Sequence, residues 1–121
     1  MKIYMSRASV SMADDVIAPH QREIEVADET SIKDILQTVK NSDYLPLISG
    51  GQATWSVVSN VPLAVIAQQW TEPKTFFILS TKILDIQSGI LRLHFNYHAQ
   101  VDPELTYKIL RDFNLKSVYV V

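Results

Sequence analysis

Apolar and polar positions follow two different periods along this chain, and the change of period divides it into strands and helices. The stretch 50–70 is nearly uncharged and contains two apolar runs. Between them, Asn60 tolerates left-handed backbone angles and Pro62 fixes φ, so the pattern predicts a hairpin with strands at 53–59 and 63–68. The second run is apolar at successive rather than alternate positions, which favours a strand covered on both faces. We expect this hairpin at the centre of a sheet.

Other strands are indicated by alternation or by short apolar runs. Within 90–98, apolar side chains occupy every second position and polar side chains occupy the positions between them, so one face of this strand is polar. In the first strand the pattern switches near Ser6, which predicts a bulge or an early end. The predicted strands outside the hairpin are 2–12, 22–27, 75–80, 90–98 and a short last strand at 117–121.

Two segments have helical periodicity and a recognisable first turn. Ser31 followed by Asp34 is close to a capping box, and an apolar stripe at i, i+3, i+4 and i+7 follows it. Asp102 before Pro103 is a strong helix start, because proline at the first helical position loses no hydrogen bond. The expected packing stripes are Ile32, Ile35, Leu36 and Val39 in the first helix and Leu105, Ile109, Leu110 and Phe113 in the second.

These elements predict one α+β domain over residues 1–121. An antiparallel or mixed sheet of about six to seven strands packs against two helices, near 31–41 and 102–113. A chain of 121 residues with 47% apolar content is long enough to bury a core without a metal ion or a disulfide. Trp55 and Trp70 are interpreted as core residues of the sheet.

The amino-acid composition excludes several classes of functional site. Cysteine is absent, which removes disulfides, thiolate metal sites and cysteine nucleophiles and permits a reducing compartment. No signal peptide and no membrane-length apolar run are recognised, so we expect a cytoplasmic protein without membrane contact. The Gly50-Gly51 pair lacks the features of a phosphate loop, and no nucleophile elbow is present. No cofactor and no metal site are expected.

Charge is distributed unevenly. Residues 1–60 carry five Lys and Arg against eight Asp and Glu, and no basic cluster suitable for phosphate binding occurs. A basic protein partner therefore suits the chain better than nucleic acid. Six acidic residues can lie on one surface and steer such a partner electrostatically. This acidic band consists of Asp14, Asp15, Glu23, Glu25, Asp28 and Glu29, and a solvated surface without function is its alternative interpretation.

The polar face of 90–98 is the second candidate site. Histidine is the usual acid or base in catalysis and arginine binds anions, so this face could serve a small enzyme or a ligand-binding domain. His94 and His98 are four residues apart in a strand, about 13 Å, which is too far to share a metal ion. Polar residues on a solvent face are also common without chemistry. The residues concerned are Arg92, His94, Asn96 and His98.

Two family resemblances add to this interpretation. The predicted N-terminal hairpin followed by the helix SIKDIL resembles the opening of a β-grasp, ubiquitin-like domain, although the chain ends in YVV rather than in a conjugating Gly-Gly. A small, cysteine-free, acidic-leaning α+β chain with the strands ATWSVVSN and PLAVIAQQW resembles bacterial immunity proteins of contact-dependent growth inhibition and related toxin systems. This second resemblance implies binding and blocking of a toxin domain, often a nuclease.

The sequence thus predicts a non-enzymatic immunity protein that binds a cognate, basic toxin domain and occludes its active site. The acidic band is the expected contact surface. Two alternatives stay open: an enzyme or ligand-binding domain that uses the polar face of 90–98, and a structural subunit that pairs with a copy of itself through an exposed edge strand.

Overall fold

A mixed β-sheet with one helix on each face forms the framework of the molecule. The computed structural model describes residues 1–119, with side chains described for residues 1–114. Short 3₁₀ helices occur at Asp14–Ile17 and Thr81–Ile83. The strands and helices of the described residues are β1 (Lys2–Arg7), β2 (Arg22–Glu25), α1 (Ile32–Asn41), β3 (Thr54–Ser59), β4 (Val61–Ala67), β5 (Lys74–Thr75), β6 (Ile86–Gln87), β7 (Ile90–Tyr97) and α2 (Pro103–Tyr119).

The strand order is β2-β1-β7-β3-β4-β5, and β6 pairs with β7 beside this path. The pairing of β1 with β7 is parallel and the other pairings are antiparallel. The predicted α+β class with a mixed sheet and two helices is therefore confirmed. β2 forms one edge of the sheet, with β1 as its strand partner.

The central position of the hairpin β3–β4 is also confirmed. Both strands have neighbours on each side, and residues 63–67 of β4 are at most 1% exposed. Asn60 forms the turn with a φ of 63°, as its tolerance of left-handed angles predicts. The register shifts at Val57/Val58, which places a bulge in the ladder. Trp55 is 2% exposed and belongs to the core.

Helix α1 begins as its sequence predicts. The Ser31 hydroxyl accepts a hydrogen bond from the Asp34 amide at 3.1 Å, which satisfies one of the unpaired donors of the first turn. The stripe Ile35, Leu36 and Val39 is buried in the main apolar cluster, which also contains the inward residues of β1, β3 and β7. Burial of this stripe fixes α1 on one face of the sheet.

Helix α2 lies on the other face, against β4, and its packing differs from the prediction. Leu105, Ile109 and Phe113 are 50–61% exposed, so Leu110 is the one member of the predicted apolar stripe that lies on the packing face. The face toward the sheet is formed instead by residues that include polar ones. Tyr107 donates to the Thr75 carbonyl and Asn114 to the Pro62 carbonyl. The residues on this face are Pro103, Thr106, Tyr107, Leu110 and Asn114.

Three predicted segments have different extents in the structure. The strand predicted at 75–80 is wrong beyond Thr75, because β5 pairs with β4 through only two residues and the chain leaves the ladder after one more hydrogen bond, from the Phe76 amide to the Leu63 carbonyl. The first strand ends early, at Arg7. Helix α2 continues to Tyr119, so the strand predicted at 117–121 is wrong through Tyr119, and residues 120–121 lie outside the described part.

Candidate functional site

Strand β2 presents two carboxylates to solvent on one face of the sheet. Glu23 and Glu25 are exposed and alternate with Ile24, which packs against the apolar core. In the β1–β2 register, Glu23 is opposite Tyr4 and Glu25 is opposite Lys2. Within residues 1–114 neither carboxylate has a hydrogen-bond or ion-pair partner. These two side chains are therefore available to an external ligand.

Asp14 differs from the expectation, because it is engaged inside the protein. Its two carboxylate oxygens accept hydrogen bonds from the Arg7 guanidinium at 2.7 and 2.9 Å, and Oδ2 also accepts from the Val10 amide at 2.9 Å. The side chain is 16% exposed. Hydrogen bonding to Arg7 lowers the pKa of Asp14 from 3.8 to about 2. Asp14 thus holds the loop after β1 and is not a free surface charge.

The remaining acidic residues of the band lie at the surface, and two of them, Asp28 and Asp15, form contacts within the protein. The Asp28 carboxylate is 2.7 Å from the Met1 ammonium, and the hydrogen bond between them lowers the pKa of Asp28. Asp15 accepts a hydrogen bond from the Ser9 hydroxyl at 3.0 Å. Glu29 is exposed. Of the six predicted residues, the structure brings Glu23 and Glu25 together on β2, without partners within residues 1–114, and turns Asp14 inward.

A buried network around Arg7 is the feature that sequence reasoning missed. Arg7 is 8% exposed and also donates to the Tyr44 carbonyl at 2.9 Å. The Tyr44 hydroxyl donates to the His20 carbonyl at 2.6 Å, and burial raises the pKa of Tyr44 to about 12. His20 Nε2 lies 3.6 Å from Asp14. Arg7 occupies the same register as Ile3 and Met5 in β1, and this alternation is the signal that indicates an inward arginine.

The polar face predicted for 90–98 exists, and its two histidines, His94 in β7 and His98 directly after it, are hydrogen-bonded to serines of neighbouring strands. His94 Nδ1 is 2.7 Å from the Ser6 hydroxyl, and His98 Nε2 is 2.7 Å from the Ser56 hydroxyl. Burial lowers the pKa of His98 from its usual value of 6.5. These contacts cross-link adjacent strands, so both imidazoles have a structural role.

The other two residues of this face do not complete a catalytic group. The Arg92 guanidinium lies over the Tyr4 ring, 5.4 Å from its centroid, and Asn96 is half-buried. A shallow cavity of about 350 Å³ lies beside α2, and it is lined by other residues. The cavity is formed by Lys74, Asp102, Glu104, Leu105, Tyr107, Lys108 and Arg111.

Residues 1–119 contain no group of three or more histidines and carboxylates arranged to hold a metal ion. Among the helices of the same residues, none has the length and apolar character needed to cross a membrane.

Comparisons with protein-family models, with curated proteins and with solved structures gave no significant match. The candidate site is defined by geometry and charge: two carboxylates on an edge strand that have no partner within residues 1–114.

Proposed function

We propose that this protein is a non-enzymatic binding protein for a basic protein partner. In line with its resemblance to immunity proteins, we further propose that it acts in the cytoplasm and neutralises a cognate toxin domain by occluding its active site. The observation that carries the proposal is the exposure of Glu23 and Glu25 on one face of β2, where neither has a partner among the side chains of residues 1–114.

Unpaired carboxylates favour a basic ligand for an electrostatic reason. A carboxylate already bound to arginine, as Asp14 is, gains little from a further cation, whereas Glu23 and Glu25 have no ion-pair partner within residues 1–114. A Lys or Arg placed between them forms charge-assisted hydrogen bonds and is attracted before contact. Charge complementarity of this kind contributes mainly to association rate and to partner choice. The negative charge of these carboxylates also disfavours direct binding of nucleic acid, because its phosphates are negatively charged as well.

The enzymatic alternative has less support. His94 and His98 each hydrogen-bond a serine of the neighbouring strand, and the 350 Å³ cavity is lined by residues of α2 and its surroundings rather than by β7. An active site ordinarily combines a concave pocket with converging polar groups.

The proposal is tested by affinity capture with two charge-reversed baits. The first bait carries Glu23→Lys and Glu25→Lys. The control bait carries Glu72→Lys and Asp112→Lys, two exposed acids outside the acidic band, so both baits change the net charge equally. We expect wild type and the control to capture a basic protein that the first bait does not capture, because only the first bait lacks the β2 carboxylates.

A functional assay completes this test. The captured protein is expressed in a sensitive host or assayed for nuclease activity, with and without the purified wild-type protein. Inhibition by wild type but not by the first bait supports the proposal. Equal capture by all baits, or toxin activity that is unaffected by wild type, contradicts it.

A further inference from the structure

The outer edge of β2 has backbone groups that are free to pair with another strand. In an antiparallel pair, successive residues of a strand direct their N–H and C=O alternately toward the neighbour and away from it. Here the Met1 nitrogen donates to the Val26 carbonyl at 2.7 Å, and the Val26 amide donates to the Met1 carbonyl at 3.0 Å. Val26 therefore faces β1 with its backbone.

The alternation then determines the direction of the other residues of β2. Ile24 and Arg22, two and four positions before Val26, also direct their backbone groups toward β1, where they pair with Ile3 and Met5. Glu23 and Glu25 consequently direct their N–H and C=O groups outward. No backbone hydrogen bond to Glu23 or Glu25 from outside the sheet occurs among the described residues. The outward backbone groups thus belong to the two residues that carry the free carboxylates.

A second copy of this chain is a poor occupant of the edge. If β2 paired antiparallel with its own copy around Ile24, Glu23 of one chain would be opposite Glu25 of the other, and the carboxylates would crowd one face. Like charges directly opposite each other in a sheet are destabilising, and charged edges are a known protection against self-association. The same arrangement favours a strand with Lys or Arg at alternate positions, since each base then lies opposite a carboxylate.

We propose that β2 receives an extended, basic segment of the protein partner as an additional antiparallel strand. The segment pairs with the backbone of Glu23 and Glu25 while its Lys or Arg side chains contact their carboxylates. This mode of recognition combines main-chain hydrogen bonds, which supply affinity, with side-chain contacts, which supply selectivity. The inference rests on the proposed function for the basic character of the partner, and its geometry comes from β2 alone.

The test uses a synthetic peptide, acetyl-KVKVKV-amide, titrated into the ¹⁵N-labelled full-length protein and followed by NMR. We expect chemical-shift changes centred on β2 and slowed hydrogen exchange at the amides of Glu23 and Glu25. The Ile24 amide faces β1, so we expect it to be protected already in the free protein and to serve as an internal reference. The peptide acetyl-EVEVEV-amide is the control and should leave β2 unchanged. Absence of β2 shifts with the basic peptide, or shifts confined to other surfaces, overturns the inference.

Two variants separate the backbone contribution from the charge contribution. Glu23→Gln/Glu25→Gln removes both charges and keeps both outward amides, and it should weaken peptide binding about five-fold. Glu23→Pro/Glu25→Pro removes the outward amides as well, and proline is tolerated on edge strands where the N–H faces solvent. We expect this variant to lose β2 binding altogether. Equal weakening in both variants shows binding by charge alone and overturns the added strand. If the proline variant does not fold, hydrogen exchange at the Glu23 and Glu25 amides of the wild-type protein tests the added strand: unchanged exchange with the basic peptide overturns the inference.

The outcomes also distinguish this inference from the proposed function. Capture and inhibition of a toxin without protection of the Glu23 and Glu25 amides in the complex would leave the function standing and reject the strand. Peptide binding at β2 without a toxin partner would support the strand and reject the immunity role. Concentration-dependent protection of the same amides in the free protein would point to self-pairing and overturn the inference.

Discussion

Replacing Asp14 with asparagine tests the structural role that its geometry gives it. The pKa of Asp14 is lowered from 3.8 to about 2, chiefly by its hydrogen bonds to Arg7. By linkage, this shift corresponds to about 2 kcal/mol of stability at neutral pH. The side chain is only 16% exposed, so solvent screening reduces this value modestly. Arg7 retains the Tyr44 and Ala8 carbonyls as acceptors, which limits the cost of the charge left without its partner.

We expect Asp14→Asn to lower the free energy of unfolding at pH 7 by about 2 kcal/mol, measured by urea denaturation. Asp15→Asn is the matched control, because this exposed neighbour accepts one hydrogen bond from Ser9, and it should change stability by less than about 0.5 kcal/mol. A lowered pKa stabilises the fold above the unfolded value of 3.8, and the contribution is lost as the pH falls toward about 2. The difference between wild type and Asp14→Asn should therefore shrink across that interval.

Two results would refute this reasoning. One is an Asp14→Asn variant as stable as Asp15→Asn at pH 7. The other is a stability difference from wild type that stays constant between about pH 5 and pH 2, where the carboxylate becomes protonated.

Two further predictions concern a helix cap and a histidine. Ser31→Ala removes the acceptor of the Asp34 amide and should cost about 1 kcal/mol in urea denaturation, whereas Ser31→Asp, which keeps an acceptor, should be nearly neutral; equal losses in both variants would reject the cap. Burial lowers the pKa of His98 below 6.5, so the unfolded chain takes up a proton first and stability should fall as the pH drops below 6.5. NMR titration of the His98 imidazole measures the midpoint, and a midpoint at or above 6.5 would contradict the prediction.

Much of the fold could be predicted because local signals and tertiary packing agree there. The β3–β4 hairpin has a turn residue with positive φ at Asn60 between two apolar runs, and both faces of β4 are buried in the structure. Ser31 caps α1 as the sequence pattern predicts, and the alternation of apolar and polar residues in β7 matches its alternation of buried and exposed positions. Consistency between propensity, pattern and packing is what makes such elements recognisable from one sequence.

The second helix and the strand at 75–80 were not predictable from apolar pattern alone. The orientation of α2 follows from the stacking of Tyr107 on Phe76 and from the hydrogen bond of Asn114 to the Pro62 carbonyl, which turn the stripe of Leu105 and Ile109 outward. Contacts between residues about 30 to 50 positions apart have no periodic signal within one segment. The apolar run after Thr75 makes one further hydrogen bond to β4, from the Phe76 amide to the Leu63 carbonyl, and beyond it has no ladder partner among the described residues. A strand is defined by its partner.

The candidate site was predictable in part for the same reason. Alternation in 22–27 places Glu23 and Glu25 on one exposed face, and the structure has them there. The engagement of Asp14 by Arg7 depends on how the loop folds back over the end of β1, which the spacing of charges does not encode.

The central claim is that a basic partner binds through the carboxylates of β2. The most direct measurement is the dissociation constant of the captured partner for wild type and for Glu23→Gln/Glu25→Gln at about 50 and 200 mM NaCl. We predict that the variant binds more weakly at low salt and that its affinity depends less on salt than that of wild type, because two cation–carboxylate contacts are lost. Equal affinities with equal salt dependence would contradict the claim.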